Sequence, residues 1–227
     1  MTRHLRLIGT LLAATLAGAA QADEKVLDIY LVRHGQTQWN LEKRLQGATD
    51  NVLNETGRRQ AAELAAKLAG VELGHIYSSG LRRAKETAAA FAGKTPVTAL
   101  PALNERSFGK FEGIFEDERS AELFAEFGKR GGRLEDGLDG GESLQSQADR
   151  VKGAVRDILA RHGSGSVAIV AHGGVNPLAL AALLDIPVAE AVARIKQGND
   201  EVYLVRLRSG QPPSVWKQAT RTTLEQL

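Results

Sequence analysis

The fold is decided by VLDIYLVRHG, residues 26–35, where an apolar run with high strand propensity stops at Arg-His-Gly. Such a run predicts a buried strand over residues 26–32 that ends where the polar residues begin. A second stretch, VAIVAHGG at residues 167–174, repeats the pattern and also reaches His-Gly. Ligands of open α/β sheets bind at the carboxyl ends of the strands, so we expect His34 and His172 to share one cleft.

Strand and helix patterns alternate along the rest of the chain. Further strands are predicted at residues 75–78, 96–103, 166–171, 201–208 and 214–219. Apolar residues at helical spacing predict helices at residues 57–69, 81–91, 120–129, 143–161 and 175–184. This alternation predicts an α/β fold with three layers, α/β/α, around a mainly parallel central sheet. Glycines interrupt the pattern at about residues 107–142, where we expect a small helical cap subdomain.

The composition excludes several classes of protein. The chain has 227 residues, of which 43% are hydrophobic and 25% are charged, values typical of one ordinary globular domain. It contains no cysteine. This excludes a disulfide scaffold, a cysteine nucleophile and a cysteine-ligated zinc site.

The first 22 residues predict a secretory signal peptide. Two arginines precede an apolar run at residues 7–19, which is followed by Ala-Gln-Ala. The run is shorter than the roughly 20 residues that span a bilayer, so an uncleaved anchor is less favoured. We expect cleavage after Ala22, a mature domain of residues 23–227, a periplasmic or secreted location and no stable membrane anchor. Cleavage removes two of the 29 basic residues and leaves 27 against 27 acidic ones, so we expect no nucleic-acid partner.

Other strand ends carry side chains suited to a phosphate group. Arg33 stands beside His34, the strand at residues 75–78 leads to Arg82 and Arg83, and the next strand leads to Glu105. Arginines fork onto phosphate oxygens, a neutral imidazole can attack phosphorus, and a carboxylic acid can protonate the leaving oxygen. Together these residues predict phosphoryl transfer with no metal and no cofactor.

Each of these residues taken singly has an ordinary structural explanation. A His-Gly pair after a strand is commonly a packed or capping histidine, and Arg82 and Arg83 fit a solvated helix face. Two histidines and a carboxylate are also metal ligands, but neighbouring arginines would repel the cation, which makes a metal site the weaker hypothesis. The coincidence of all these residues at strand ends favours the phosphate site.

Around these residues the sequence resembles the histidine phosphatase superfamily, in the branch that contains the cofactor-dependent phosphoglycerate mutases and their phosphatase relatives. The resemblance begins with LVRHGQTQWN at residues 31–40. It continues at residues 44–47, 50, 53, 56–57, 60–61, 79–88, 103–105, 108–109, 112–113, 141–143 and 170–174. It implies a phosphoglycerate mutase-like fold.

The resemblance also implies a role for each matching residue. His34 would be the nucleophile that becomes phosphohistidine, Glu105 the proton donor and acceptor, and His172 the second phosphate-binding histidine. The phosphate clamp would be Arg33 and Arg83. Residues on the substrate side would be Thr37, Asn40, Gln46, Gly47, Gly173 and Gly174, with Gly174 offering a backbone N–H to the phosphate.

The chain departs from the family pattern at three positions. Gly80 stands where the family usually has Pro or Asp, Asn176 where an Arg is common, and Ser107 where the mutases carry His. Five of the six phenylalanines lie between residues 108 and 127. We expect them to form the core of the cap subdomain; the alternative is an apolar wall facing the substrate.

The expected function is that of an exported, metal-independent phosphomonoesterase acting on a small phosphate ester. The residues QT at 36–37 and QG at 46–47 resemble the phosphatase relatives more than the mutases. Two alternatives remain at this point: phosphoglycerate mutase-type transfer, and a non-catalytic phosphate-binding module.

Overall fold

The computed structural model describes residues 25–226, so the predicted signal peptide lies outside the described residues. The strands are β1 (Val26–Arg33), β2 (His75–Ser79), β3 (Val97–Leu100), β4 (Gly165–Ala171), β5 (Val202–Arg208), β6 (Ser214–Gln218) and β7 (Leu224–Gln226). The helices are α1 (Gln38–Leu41), α2 (Glu55–Lys67), α3 (Arg82–Ala92), α4 (Ala121–Arg130), α5 (Leu144–Arg161), α6 (Val175–Leu184) and α7 (Val188–Arg194). Within residues 25–226, none of the helices has both the length and the apolar character that a membrane crossing requires.

All seven strands form one sheet in the order β3-β2-β4-β1-β5-β6-β7. The four strands from β3 to β1 are parallel, as expected of strands that helices connect. Beyond β1 the pairings are antiparallel. Short turns rather than helices link β5 to β6 and β6 to β7, which suits antiparallel pairing. The predicted strand at residues 96–103 ends early, at Leu100, since Pro101 has no N–H for a ladder and begins a short 3-10 turn.

Helices cover both faces of the sheet and confirm the three-layer prediction. Leu27, Ile29 and Leu31 of β1 point to one face and pack with apolar residues of α5 and α6. Tyr30 and Val32 point to the other face and pack with α2 and α3. This alternation follows from the two-residue period of a strand, and burial on both faces explains why β1 is almost continuously apolar.

The cap subdomain at residues 107–142 has its own small core. Phe111, Ile114 and Leu138 are buried there, and the partly buried residues packed around them are Leu45, Phe108, Phe124 and Phe127. Arg130 of α4 forms ion pairs with Asp136 and Asp139, both at 2.8 Å, which join the helix to the following loop. Most of the phenylalanine-rich segment therefore packs inside the cap, which lies over one end of the sheet.

Candidate active site

A cleft of about 210 Å³ lies where β1, β2 and β4 end beneath the cap. Its walls are formed by Arg33, His34, Asn40, Arg44, Leu45, Gln46, Gly47, Arg83, Glu105, Phe108, Glu116, Gly173 and Gly174. A wider groove of about 600 Å³ runs between α2 and α3. Of the residues considered for the phosphate site, it is lined by Arg82 alone, which pairs with Glu86 on the helix surface as the structural explanation predicts. The carboxyl ends of the parallel strands thus bring the predicted residues together, as the topology requires.

His34 is buried at the end of β1 with one ring nitrogen already used. Its backbone N–H donates to Ala171 O of β4 at 3.0 Å, which continues the parallel ladder. Its Nδ1 lies 2.8 Å from Gly35 O, and a carbonyl oxygen only accepts, so Nδ1 carries the proton. Burial, reinforced by the positive charges of Arg83 and Arg33, holds the pKa of His34 well below its ordinary value. The ring is therefore neutral at pH 7, with a lone pair on Nε2.

His172 lies beside His34, with 5.0 Å between the two ring centroids. Its side chain is fully buried, and its Nε2 lies 2.8 Å from Ser79 Oγ. Its Nδ1 is buried and has no hydrogen-bond partner within residues 25–226. Burial, together with the charges of Arg83 and Arg33 and the nearness of the His34 ring, lowers the pKa of His172 well below its ordinary value.

Two arginines place positive charge against these rings. Arg83 of α3 is 1% exposed and donates to Gly47 O at 2.8 Å and to Thr49 O at 2.7 Å. Arg33 donates to the carbonyl of Gln197. Burial lowers the pKa of Arg83 to about 10, which leaves it a cation at neutral pH. The Nε atoms of both arginines are buried without an acceptor among the described residues, and an anion in the cleft would supply one.

Glu105 follows the 3-10 turn after β3, and three N–H groups hold its carboxylate. Oε2 accepts from the backbone N–H of Gly174 at 3.0 Å. Oε1 accepts from Gln147 Nε2 and from the Arg106 N–H, each at 2.9 Å. In this structure the Gly174 N–H donates to Glu105, so the expected bond from this N–H to a phosphate stays a prediction.

The remaining predicted residues divide between the wall of the cleft and its support. Thr37 is fully buried at the N-cap of α1, outside the lining of the cleft, and its expected contact with the substrate stays a prediction. Its hydroxyl donates to Gln46 Oε1 at 2.8 Å and its N–H donates to Asn40 Oδ1 at 3.1 Å. Because both amide oxygens are occupied, Asn40 and Gln46 have their NH₂ groups left for a ligand. Gly47 lies at φ +55°, where its carbonyl reaches Arg83.

Two lining residues of the cleft were not predicted from the sequence. These are Arg44 and Glu116. Arg44 lies within the family motif but was assigned no role, and no motif pointed to Glu116. Asn176, which replaces a common Arg, is fully buried and donates to Gln197 Oε1 at 2.6 Å instead of reaching the cleft.

The arrangement combines a neutral nucleophilic imidazole, two guanidinium groups and a carboxylate. In the described part of the chain, no three or more His, Asp and Glu side chains converge in the manner of metal ligands. The geometry suits a tetrahedral anion held between His34, His172 and the arginines, with Glu105 facing the leaving oxygen. Such a site defines a phosphoryl-transfer enzyme on an α/β/α fold.

Comparison with known proteins gives the family. The chain belongs to the histidine phosphatase superfamily (branch 1), whose family model matches residues 29–219. A metal-independent phosphoserine phosphatase of Arabidopsis thaliana is 36% identical over 196 residues, covering 83% of this chain and 79% of that protein. A probable phosphoglycerate mutase of Salmonella choleraesuis is 31% identical over 193 residues, covering 82% and 87%.

A solved structure gives the same result. A mycobacterial glucosyl-3-phosphoglycerate phosphatase superposes with a TM-score of 0.72 at 30% identity, covering 80% of this chain and 91% of that one. The predicted family and fold are therefore confirmed. The chain is an enzyme of the phosphatase class within this superfamily.

Proposed function

We propose that the chain is an exported, metal-independent phosphomonoesterase that hydrolyses a small phosphate ester through a phosphohistidine on His34. The proposal rests above all on the bond from His34 Nδ1 to Gly35 O at 2.8 Å. This bond leaves the lone pair of a buried, neutral imidazole on Nε2, beside two cationic side chains. Such a nitrogen can attack phosphorus without first losing a proton.

In the first half of the reaction, Nε2 of His34 attacks the phosphorus atom and the ester P–O bond breaks. Arg33 and Arg83 stabilise the charge on the equatorial oxygens, because their unsatisfied Nε–H groups lie beside the cleft. The electron pair of the broken bond stays on the leaving oxygen, which takes a proton from the carboxylic acid form of Glu105 and leaves a carboxylate. The alcohol departs and the phosphoryl group remains on His34.

In the second half, water attacks the phosphohistidine. Glu105 takes a proton from this water, the N–P bond breaks, and its electron pair returns to Nε2 of His34. Inorganic phosphate leaves, and the imidazole is neutral again. The N–H groups of Gly174, Gln147 and Arg106 hold the Glu105 carboxylate in one place for both steps.

The size of the cleft and the Arg44 side chain in its wall support a substrate whose alcohol is small and carries a carboxylate. The volume of about 210 Å³ lies below the range of roughly 300–1,000 Å³ typical of drug-sized ligands. Arg44 is fixed there by a bond from Nε to Gly113 O at 2.8 Å and by stacking 4.1 Å from the Trp39 ring. Its charge would meet a carboxylate. Phosphoserine and glucosyl-3-phosphoglycerate, which the names of the relatives specify, both carry one.

Export is supported by residues 1–22, with their basic start, apolar run and small residues before the expected cleavage point. Amino-terminal sequencing of the protein recovered from the periplasm or medium should begin at Asp23. If the protein were recovered only from the cytoplasm and still began at Met1, export would be contradicted. The proposed phosphohistidine mechanism would not be affected by that result.

Phosphate release from p-nitrophenyl phosphate in EDTA tests the mechanism. We expect full activity in the chelator and its loss in His34→Ala, with an acid-labile phosphate trapped on the wild-type protein alone. His162→Ala is the matched control, since His162 pairs with Tyr77 away from the cleft. Activity that EDTA abolishes, or that survives in His34→Ala, would contradict the proposal.

The mutase alternative has one observation in its favour, the similarity to a probable phosphoglycerate mutase. Ser107, in place of the histidine of the mutases, opposes it. Transfer of the phosphoryl group from 2,3-bisphosphoglycerate to 3-phosphoglycerate faster than to water would favour the mutase. Stable phosphate binding without turnover of any ester would favour a binding module.

A further inference from the structure

Behind the cleft, a chain of hydrogen bonds runs from His172 to the main chain. Nε2 of His172 lies 2.8 Å from Ser79 Oγ, which lies 2.9 Å from Asn104 Oδ1. The Gly80 N–H donates to the same Oδ1 at 2.7 Å, and the Leu81 N–H donates to Ser79 Oγ at 3.1 Å. His172 and Ser79 are both fully buried, so protein groups alone satisfy these atoms.

The chemistry of these donors decides which atom donates and which accepts in each hydrogen bond of this series. A backbone N–H can only donate, so the Gly80 N–H identifies the acceptor oxygen of the Asn104 amide. If the single Ser79 proton pointed to His172, Ser79 Oγ and Asn104 Oδ1 would face each other at 2.9 Å without a proton between them. The Ser79 hydroxyl therefore donates to Asn104, and its oxygen accepts from His172 Nε2–H.

This pattern of donors and acceptors determines what His172 presents to the cleft. With the proton on Nε2, the neutral ring has only a lone pair on Nδ1, the buried atom that lacks a partner. A lone pair cannot bind an anionic oxygen, whereas a protonated Nδ1 can. Binding of a tetrahedral dianion would therefore need one more proton on this ring.

We infer that Ser79 and Asn104 are positioning residues that hold His172 as its Nε2–H tautomer, so that a tetrahedral dianion binds together with a proton taken up at Nδ1. The inference rests on the proposed function, because it gives His172 its part in holding the phosphoryl group. A proline at position 80 would have no N–H to donate, whereas Gly80 supplies Asn104 with a donor.

The charges around His172 agree with this linkage. The groups that act most strongly on the ring are Arg83 on α3, Arg33 and His34 at the end of β1, and Arg150 on α5. These four are cationic or neutral and oppose a second proton on His172, although the Glu105 carboxylate lines the same cleft. A bound dianion reverses that balance.

Calorimetry of inorganic sulfate binding tests the inference, because sulfate is a tetrahedral dianion without a proton of its own near neutral pH. Titrations in two buffers of different ionisation enthalpy give the number of protons taken up. All are carried out in the His34→Ala protein, so that the nucleophile's own ring takes none. We expect uptake of about one proton per sulfate at pH 7.5.

Two variants should abolish this proton uptake, because in each of them the neutral His172 ring can carry its proton on Nδ1 instead of Nε2. In Ser79→Ala, Nε2 has no acceptor, and the proton can sit on Nδ1 before sulfate arrives. In Asn104→Leu, the Ser79 hydroxyl can turn and donate to Nε2, with the same result. Ser78→Ala is the matched control, since Ser78 is also fully buried in β2 but its Oγ has no partner among the described residues. We expect the number of protons taken up per bound sulfate to fall by about one in both variants and to stay unchanged in the control.

A purely structural role for Ser79 would weaken sulfate binding but leave the proton count unchanged. That result would overturn the inference, as would wild-type-like uptake in Asn104→Leu, sulfate binding without proton uptake, or no saturable sulfate binding. None of these results depends on turnover. A negative result in the sulfate titrations would therefore not contradict hydrolysis through His34. A failure of the proposed hydrolysis would be seen separately, in the p-nitrophenyl phosphate assay in EDTA.

Discussion

Replacing Gly174 with alanine is the sharpest test of Glu105 as the proton donor. A Cβ at this position would stand 2.5 Å from Glu105 Oε1, where ordinary contacts begin at 3.4 Å. Gly174 has φ −87° and ψ −25°, a conformation that alanine adopts without strain. The backbone can therefore stay in place, and the carboxylate must retreat by about 0.9 Å.

The size of the effect follows from this displacement. The retreat lengthens the bond from the Gly174 N–H to Oε2, now 3.0 Å, and moves the proton away from the leaving oxygen. Misplacing a reacting group by about 1 Å costs on the order of 10²-fold in rate. We expect kcat for glycerol 2-phosphate to fall by about that factor. For p-nitrophenyl phosphate we expect a loss of less than about 10-fold, because nitrophenolate leaves with little help from an acid.

Steady-state kinetics on the two esters provide the measurement, with circular dichroism to verify the fold. The matched control is Gly153→Ala in α5, where a Cβ meets nothing within 4 Å. It should leave both kcat values unchanged and raise the free energy of unfolding by up to about 1 kcal/mol. Equal losses on both esters in Gly174→Ala would refute the assignment of the proton to Glu105.

Two further predictions concern pH and the leaving group. The folded state holds the pKa values of His34 and His172 well below 6.5, so it binds fewer protons than the unfolded chain. Their contribution to the free energy of unfolding is therefore present above pH 6.5 and is lost as the pH falls, by up to about 1.4 kcal/mol per unit for each ring. Melting temperatures from pH 7 to 5 should fall more steeply in wild type than in His34→Ala; equal slopes would contradict this. Arg44→Gln should raise KM for phosphoserine about 10-fold or more and spare p-nitrophenyl phosphate, with the exposed Arg59→Gln as control. Equal changes on both esters would remove Arg44 from leaving-group recognition.

The ends of the strands could be predicted from the sequence because apolar residues give way abruptly to polar ones there. β1 and β4 are buried on both faces, so their apolar runs stand out and the polar residues after them mark the cleft. The helices α2, α3, α4, α5 and α6 were also predicted from apolar residues at helical spacing. Elements of few residues, such as α1, α7 and β7, were not, since their patterns are too short to distinguish from loops.

The family motif does not show which of its residues line the cleft and which are buried behind it as support. Thr37 and Asn40 belong to the same motif, yet one is buried at a helix cap and the other faces the cleft. Gly174 was expected to donate its N–H to a phosphate, but Glu105 accepts it instead. Local sequence carries no information about which distant acceptor will lie within 3 Å of a given N–H.

The sequence alone therefore determined the layers of the fold, the family and the residues that meet at the strand ends, because each depends on periodicity or on contiguous motifs. Only the tertiary structure decided the proton positions in the site. The proton on His34 depends on the carbonyl of Gly35 at 2.8 Å, and the tautomer of His172 depends on Ser79 and Asn104, which lie far from it along the chain. Hydrogen bonds act over about 3 Å. Folding sets the backbone conformation that turns the neighbouring Gly35 carbonyl toward His34, and it brings Ser79 and Asn104 to His172 from distant parts of the chain.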